Sequence, residues 1–313
     1  MSDLSVELAG IRLRNPLILA SGIWGESGQS LVGAWDAGAA GVITKSIGSR
    51  PRPGYPNPTV EELGSWGMLN AMGLPNPGIR EYSREIAFAR EHGALVIGSI
   101  FGGTAEEFAR LAREMAATGV RALELNLSCP HAEGFGTEIG SDPRDVDEVV
   151  RAVVREVKIP VIAKITPNAA DPAALAAAAE NAGARAISAI NTVRALSIDP
   201  TLMRPVLAHG IGGLSGPAIK SVGLAAVWQI RQRVRVPIVG VGGISSGADV
   251  LEYVLAGACA VEIGTAVAHE GVRVFGRLAQ ELDQLLSKKG VSSLRELVGG
   301  AHRGFEIPAA DFP

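Results

Sequence analysis

The sequence predicts an α/β fold: a (β/α)8 barrel of the TIM type, with an N-terminal β-hairpin and inserted loops after strands 2, 4 and 6. Three observations carry it. Five helix-like segments end in glycine (Gly38, Gly93, Gly119, Gly183 and Gly257), and a short apolar strand follows each. Those strands are almost continuously apolar, as strands of a parallel sheet covered on both faces must be. Polar residues and glycines then collect where the strands end, the face on which barrels of this kind do their chemistry.

The elements follow in order. Val6-Glu7-Leu8 and Ile11-Arg12-Leu13 around Ala9-Gly10 read as a hairpin plugging the barrel bottom. Residues 16–20 form the first strand and residues 41–44 the second. Residues 94–100 form the third, and Thr104 with Glu107 then makes a capping box ahead of Phe108, Leu111 and Met115 at core spacing. Residues 122–127 form the fourth strand, an alternating run. Asp142-Pro143 opens a helix with Val146, Val149, Val150, Val153, Val154 and Val157 on one face. Residues 160–164 are the fifth strand, Asp171-Pro172 opens another helix, and residues 186–190, 237–241 and 260–263 complete the eight. A glycine closing each helix fits the left-handed C-cap, which is cheap only without a Cβ. Residues 47–80 and 193–217 are too long for simple connections, and long loops on the active face of a barrel are usually functional.

The chain has 313 residues, a formal net charge of −3, 47% hydrophobic and 19% charged residues, which suits a single barrel domain over residues 1–313 with a large core. The near-neutral balance argues against nucleic acid or an anionic membrane as partner. No apolar run is long enough to span a bilayer, and MSDLSVELAG lacks the basic and apolar regions of a secretory signal, so a cytoplasmic location is expected. Two cysteines, Cys129 and Cys259, are too few for a four-cysteine metal or iron–sulfur site.

The chemistry-bearing residues sit at strand ends: Ala20-Ser21-Gly22, Thr44-Lys45-Ser46, Asn126 to Cys129, Lys164, Asn191-Thr192, Gly242-Gly243 and Gly264-Thr265. Glycine loops after strands 7 and 8, joined by Gly212-Gly213-Leu214-Ser215-Gly216, suit an anion approached by backbone N–H groups, which suggests a phosphorylated cofactor. Lys45 and Lys164 fall in the barrel mouth, and a buried lysine needs an anionic partner or a depressed pKa. Cys259, in Ala258-Cys259-Ala260, reads as a small core residue. Cys129 starts a loop beside Asn126 and Ser128, a position that suits a base or a nucleophile. His131 and His209 are the histidines nearest this site, and neither has metal-ligand spacing.

Those motifs, with Asn70-Ala71-Met72-Gly73-Leu74-Pro75-Asn76-Pro77-Gly78 and Asn126-Leu127-Ser128-Cys129-Pro130, resemble the class 1 dihydroorotate dehydrogenases over nearly the whole chain. The pattern is most similar to the class 1B catalytic subunit. The resemblance implies an FMN across the barrel mouth with dihydroorotate stacked on it. Cys129 would remove the proton from carbon 5, a hydride would pass from carbon 6 to the flavin, and orotate would leave. Asn70, Asn126, Asn191 and Thr192 would hydrogen-bond the substrate, and the backbone at Met72, Gly73 and Leu74 would hold its carboxylate end. Lys45 would reach both flavin and substrate, and Lys164 the polar edge of the isoalloxazine. Gly213, Gly243, Gly264 and Thr265 would hold the phosphate, with Ala20, Ser21, Gly22, Ser46, Asn126, Ile190, Ser215, Gly216 and Gly242 also lining the cofactor. Residues 130–141 would form a mobile lid. The resemblance also implies a homodimer, or a heterotetramer with a separate subunit carrying FAD and an iron–sulfur cluster that passes electrons to NAD; a fumarate-using homodimer is the alternative. One position departs from the family. His131 stands where a substrate-binding asparagine is usual, and Cys-Pro-His also resembles the flavin domain of dihydropyrimidine dehydrogenase. Outside redox chemistry, the residues alone leave a phosphate-binding lyase or isomerase, or a scaffold, as further readings.

Overall fold

Eight parallel strands close into a barrel in this computed structural model, which describes residues 2–128 and 139–304. The barrel strands are β1 (Leu17–Leu19), β2 (Gly41–Ile43), β3 (Val96–Ile100), β4 (Ala122–Asn126), β5 (Val161–Ile165), β6 (Ala186–Ala189), β7 (Ile238–Val241) and β8 (Ala260–Ile263). Each pairs with its neighbour in sequence, and β8 pairs with β1 to close the ring. The helices are α1 (Gly28–Asp36), α2 (Ile79–Glu91), α3 (Ala105–Ala117), α4 (Pro143–Glu156), α5 (Pro172–Asn181), α6 (Lys220–Arg233), α7 (Gly247–Ala256), α8 (Thr265–Glu270) and α9 (Val274–Lys288).

Local sequence explains the ends. The five helix-closing glycines all have positive φ, from 81° at Gly119 to 123° at Gly257. Asp142 caps α4 by accepting from Arg144 N, and Asp171 caps α5 by accepting from Ala174 N. On α4 the valines at 146, 149, 150 and 153 are buried, each contributing about 1.5–3 kcal/mol of transfer free energy as an upper figure. Val157 lies past the helix, as its extended C-cap. Thr104 caps α3 by accepting from Glu107 N, but the expected capping box is only half present. The Glu107 carboxylate accepts instead from Gly103 N (2.8 Å) and Ser49 Oγ (2.5 Å), tying α3 to the insertion after β2.

The N-terminal hairpin is present as Val6–Leu8 paired with Ile11–Leu13, with Val6, Leu8, Ile11 and Leu13 buried. It runs directly into the start of β1, where Asn15 donates to Gly38 O (2.9 Å) and accepts from Leu17 N (2.9 Å). The segment after α9 clamps it, with Arg295 paired to Asp3 at 2.8 Å.

The two long insertions are not loops. They join in a four-stranded antiparallel sheet ordered Val193–Ala195, Gly212–Ser215, Met68–Asn70, Val60–Glu62. Asn70 stands opposite Gly213 in that sheet and donates to its carbonyl (3.2 Å). Beyond Ser128 the chain is described again from the short helix Ile139–Ser141 onward. Most of the expected 130–141 lid lies outside the described residues. No described helix is long and apolar enough to cross a membrane.

Candidate active site

The fourth strand is not half-exposed. Ala122, Leu123, Glu124 and Leu125 are all buried, so its alternation runs between the barrel interior and the helix layer. That turns Glu124 into the barrel, where Glu262 of β8 and Lys164 of β5 meet it. Lys164 Nζ donates to Glu262 Oε2 at 2.7 Å and lies 3.6 Å from Glu124 Oε1. Ser188 of β6 donates to Glu262 Oε1 at 2.7 Å. Lys164 therefore has the anionic partner its burial demands. Burial pulls the ammonium down, but the acidic pair Glu124 and Glu262 outweighs that and holds it above its ordinary range. The sequence reading missed both glutamates. The available signal was a lone Glu flanked by apolar residues in each of two strands buried on both faces.

A chain of hydrogen bonds climbs from this cluster to the mouth. Ser99 Oγ donates to Glu124 Oε1 (3.4 Å) and meets Ser46 Oγ (2.9 Å). Ser46 also meets Ser21 Oγ (3.2 Å) and accepts from Asn126 Nδ2 (3.1 Å). Asn191 Nδ2 donates to Asn126 Oδ1 (3.2 Å), and Asn191 Oδ1 accepts from Thr192 N (2.8 Å). Glu124 and Ser99 lie within their strands and the other side chains at strand ends, so the barrel brings residues from five strands to one place.

Two cavities open here. The larger, of about 600 Å³, is lined by Ala20, Ser21, Gly22, Lys45, Ser46, Asn126, Lys164, Ile190, Ser215, Gly216, Gly242, Gly243, Gly264 and Thr265. Glu26, also on its wall, pairs with Lys45 at 3.3 Å. The smaller, of about 350 Å³, is lined by Asn70, Met72, Gly73, Leu74, Asn126, Asn191, Thr192 and Gly213, with Ser128, Asn168, Arg194, Ile211, and Tyr55 stacked on His209 (centroids 4.0 Å apart). Asn70, Met72, Leu74, Asn126, Asn191 and Thr192 line both, so the cavities adjoin. Gly213 sits apart from the glycines grouped with it. A Cβ there would lie 2.1 Å from Thr192 Oγ1, and one at Gly212 would lie 2.6 Å from Asn70 O. That glycine pair serves close backbone approach in the inserted sheet and lines the smaller cavity. Cys129 and His131 lie outside the described residues, one and three positions past Ser128, whose buried Oγ has no hydrogen-bond partner among the described residues. Cys259 is partly buried and packs on the core, as expected.

The loop after β7 is braced from behind. Tyr253 of α7 is buried and donates to Gly242 O (2.7 Å). Gly240 and Gly223 leave room for it, since a Cβ on either would lie 2.3 Å and 2.0 Å from the tyrosine. Asp249 accepts from Ser245 N (2.9 Å), Ser246 N (2.8 Å) and Lys220 Nζ (2.8 Å). Burial pushes the Asp249 carboxyl up, but Lys220 and the two serines outweigh it and hold it below its ordinary value. A folded-state value below the unfolded one gives stability that is present above the ordinary value of 3.8 and is lost as pH falls through the folded value. Asp249→Asn is accordingly expected to flatten the acid limb of a melting-temperature-against-pH curve below about pH 4. Parallel limbs for the two proteins would remove Asp249 from that role.

A planar cofactor with a phosphate fits these residues. The cavity volume is in the range of small-molecule sites. Nothing but Ala20 Cβ (3.6 Å) lies within 4 Å of a Cβ built on Gly264, and nothing at all near one on Gly22, so side chains at these lining positions would fill the space. Two lysines supply cationic donors along it, and Gly242 and Gly243 hold φ of 125° and 68° where the loop turns. Among the described residues no cluster of His, Cys, Asp and Glu is arranged to hold a metal ion.

Fold and site together define a barrel enzyme with a cofactor-sized cavity and an adjoining small-molecule cavity. The family described as dihydroorotate dehydrogenase matches residues 3–286. A Pyrococcus horikoshii protein named dihydroorotate dehydrogenase B (NAD(+)), catalytic subunit, is 49% identical over 296 residues, covering 95% of this chain and 97% of its own. Proteins of the same name from Methanocaldococcus jannaschii and Thermoplasma acidophilum are 47% and 46% identical, each over 96–97% of this chain and 98–100% of their own. A dihydroorotate dehydrogenase from Eimeria tenella, solved in complex with ferulenol, superposes with a TM-score of 0.83 at 22% identity, over 96% of this chain and 89% of that one, which supports the fold. This chain belongs to the dihydroorotate dehydrogenase family.

Proposed function

We propose that this chain oxidises dihydroorotate to orotate in pyrimidine biosynthesis, with FMN in the larger cavity and substrate in the smaller. The observation that supports it most is the pairing of the two cavities through Asn70, Asn126, Asn191 and Thr192, amide and hydroxyl groups suited to a ring with alternating amide donors and acceptors. FMN when bound supplies the acceptor for the hydride from carbon 6 of the substrate. The residues of the chain do the rest. Lys164, held cationic by Glu262, and Lys45 stabilise negative charge along the cavity wall. Asn126 is held by Ser46 and Asn191, so its amide is oriented before substrate arrives. The loops at Gly216, Gly243 and Gly264 take the phosphate. Ser128 lines the smaller cavity, and Cys129, the next residue in the sequence, takes the proton from carbon 5.

The relatives named as catalytic subunits support a second chain as electron carrier. With two cysteines this chain has too few to ligate an iron–sulfur cluster, so an FAD and iron–sulfur subunit passing electrons to NAD is separate. Trp24 and Val60, exposed at the larger cavity, and exposed Trp66 next to its lining residue Ser65 are apolar side chains for it to cover. A second reading, an enzyme for uracil-type rings, has His131 in its favour. Turnover of dihydroorotate and dihydrouracil with an artificial acceptor separates the two. Oxidation of dihydroorotate, with flavin absorbance in the purified protein, is expected; activity on dihydrouracil alone would overturn the assignment.

A further inference from the structure

Glu124 is fully buried at the floor of the larger cavity, yet it is poorly served as an anion. Its Oε1 accepts one long hydrogen bond from Ser99 (3.4 Å), and its Oε2 has no partner among the described residues. Lys164 is committed elsewhere: its ammonium sits 2.7 Å from Glu262 and 3.6 Å from Glu124, and Ser188 holds the second Glu262 oxygen. The groups that face Glu124 across the barrel are thus one cation, Lys164, and one anion, Glu262. The strands β1, β2, β6 and β7 carry no titratable side chain, and β3 contributes only Ser99. If both glutamates were ionised, this dry cluster would carry a net negative charge. With Glu124 neutral it is balanced, and an acid needs fewer partners than a carboxylate.

We propose that Glu124 is held as a neutral carboxylic acid beneath Lys164 and stores a proton for the site. It leaves the Lys164–Glu262 pair intact, and it binds its proton more tightly when negative charge enters the cavity above. Glu124 is a positioning residue in this scheme, acting on the cavity through Lys164. The coupling is reciprocal, so protonation of Glu124 favours an anionic occupant by the same factor. The proton comes from solvent and the electrons from the substrate, so no further reactant is needed. Burial, and then the like charge of Glu262, push the Glu124 carboxyl up to about 8, with Lys164 opposing them.

The identity of the cavity occupant rests on the flavin reading; the state of Glu124 does not. Infrared difference spectra of the ligand-free protein test the second directly. The carbonyl stretch of a protonated carboxylic acid should be present at about pH 6 and fade about pH 8. It should vanish in Glu124→Gln. In Ser99→Ala it should move to higher frequency, because the acceptor loses its hydrogen bond; this gentler variant makes the assignment if Glu124→Gln does not fold. In Glu262→Gln it should be lost, since Lys164 then takes Glu124 as its counter-ion. With FMN bound and reduced by dithionite, the midpoint should rise by about one pH unit, a tenfold gain in proton affinity. No such band in the wild-type protein, or a band indifferent to both Glu124→Gln and Ser99→Ala, overturns the neutral acid. A midpoint unmoved by reduction overturns the coupling. Failure of FMN to bind removes the flavin reading and the coupling with it, while the ligand-free band still decides the state of Glu124.

Discussion

Replacing Lys164 by methionine should destabilise the protein by about 3–5 kcal/mol, the cost of removing one partner from a buried ion pair. Methionine keeps most of the stem, so the loss is chiefly that of the ammonium rather than of packing. Glu262 is then left 2% exposed with only Ser188 donating to it, beside a fully buried Glu124. With the cation gone, the buried pair must take up one more proton than in the wild type or hold an uncompensated negative charge. Carboxyls with folded values raised above their unfolded values give stability that is fully present below the unfolded value and is lost as pH rises through the folded one. The gap between variant and wild type should therefore be wide at pH 8 and narrow on acidification toward pH 5. Chemical denaturation at the two pH values checks this. A gap independent of pH would mean that lost packing, not lost charge, explains the defect. Flavin affinity should fall as well, because a cationic donor along the cavity is gone; unchanged flavin retention and spectrum would confine Lys164 to a structural role.

That prediction turns on residues the sequence hid in plain view. The eight strands were legible because each is short and apolar and five of them are announced by a glycine that a left-handed C-cap requires, and every one is found where that pattern puts it. The residues at the strand ends were legible for the same reason: the barrel fixes which end is the mouth. Glu124 and Glu262 were not, because Leu123-Glu124-Leu125 also reads as a half-exposed alternating strand, in which a glutamate faces water. Only closure into a barrel makes both faces interior. The inserted sheet was invisible for a different reason. Its strands are three or four residues long, partly polar, and pair across the long sequence separation between Asn70 and Gly213. No local periodicity records such a pairing. Gly213 was accordingly grouped with the phosphate glycines, although its missing Cβ makes room for Thr192. Thr104 was a cap on sequence and is one in the fold, but Glu107 found Gly103 and Ser49, tertiary context overriding the local box.

Changing Cys129 to alanine should lower dihydroorotate oxidation by about 10²–10⁴-fold, the range for loss of a positioned general base. The fold should survive, because the change removes a single sulfur atom and the described strands and helices bury a continuous core among themselves. Flavin content should also survive, because the larger cavity is lined mostly by residues of other strand ends and is braced by Tyr253 and Asp249. The effect belongs on the rate of proton removal, so it should appear in kcat and in the single-turnover loss of flavin absorbance, with little change in substrate affinity, which the proposed function assigns to Asn70, Asn126 and Asn191. The pH dependence gives the sharper reading. A thiol with an ordinary value near 8.5 is mostly protonated at neutrality, so the wild-type rate should rise with pH through that region as thiolate forms. A serine at this position has a far weaker acid in its place, so Cys129→Ser should stay slow through neutrality and gain only as the solution becomes strongly alkaline. A Cys129→Ala protein with a near-normal rate and the same pH profile would take the cysteine out of the proton transfer and leave water or another group on the smaller cavity to do it.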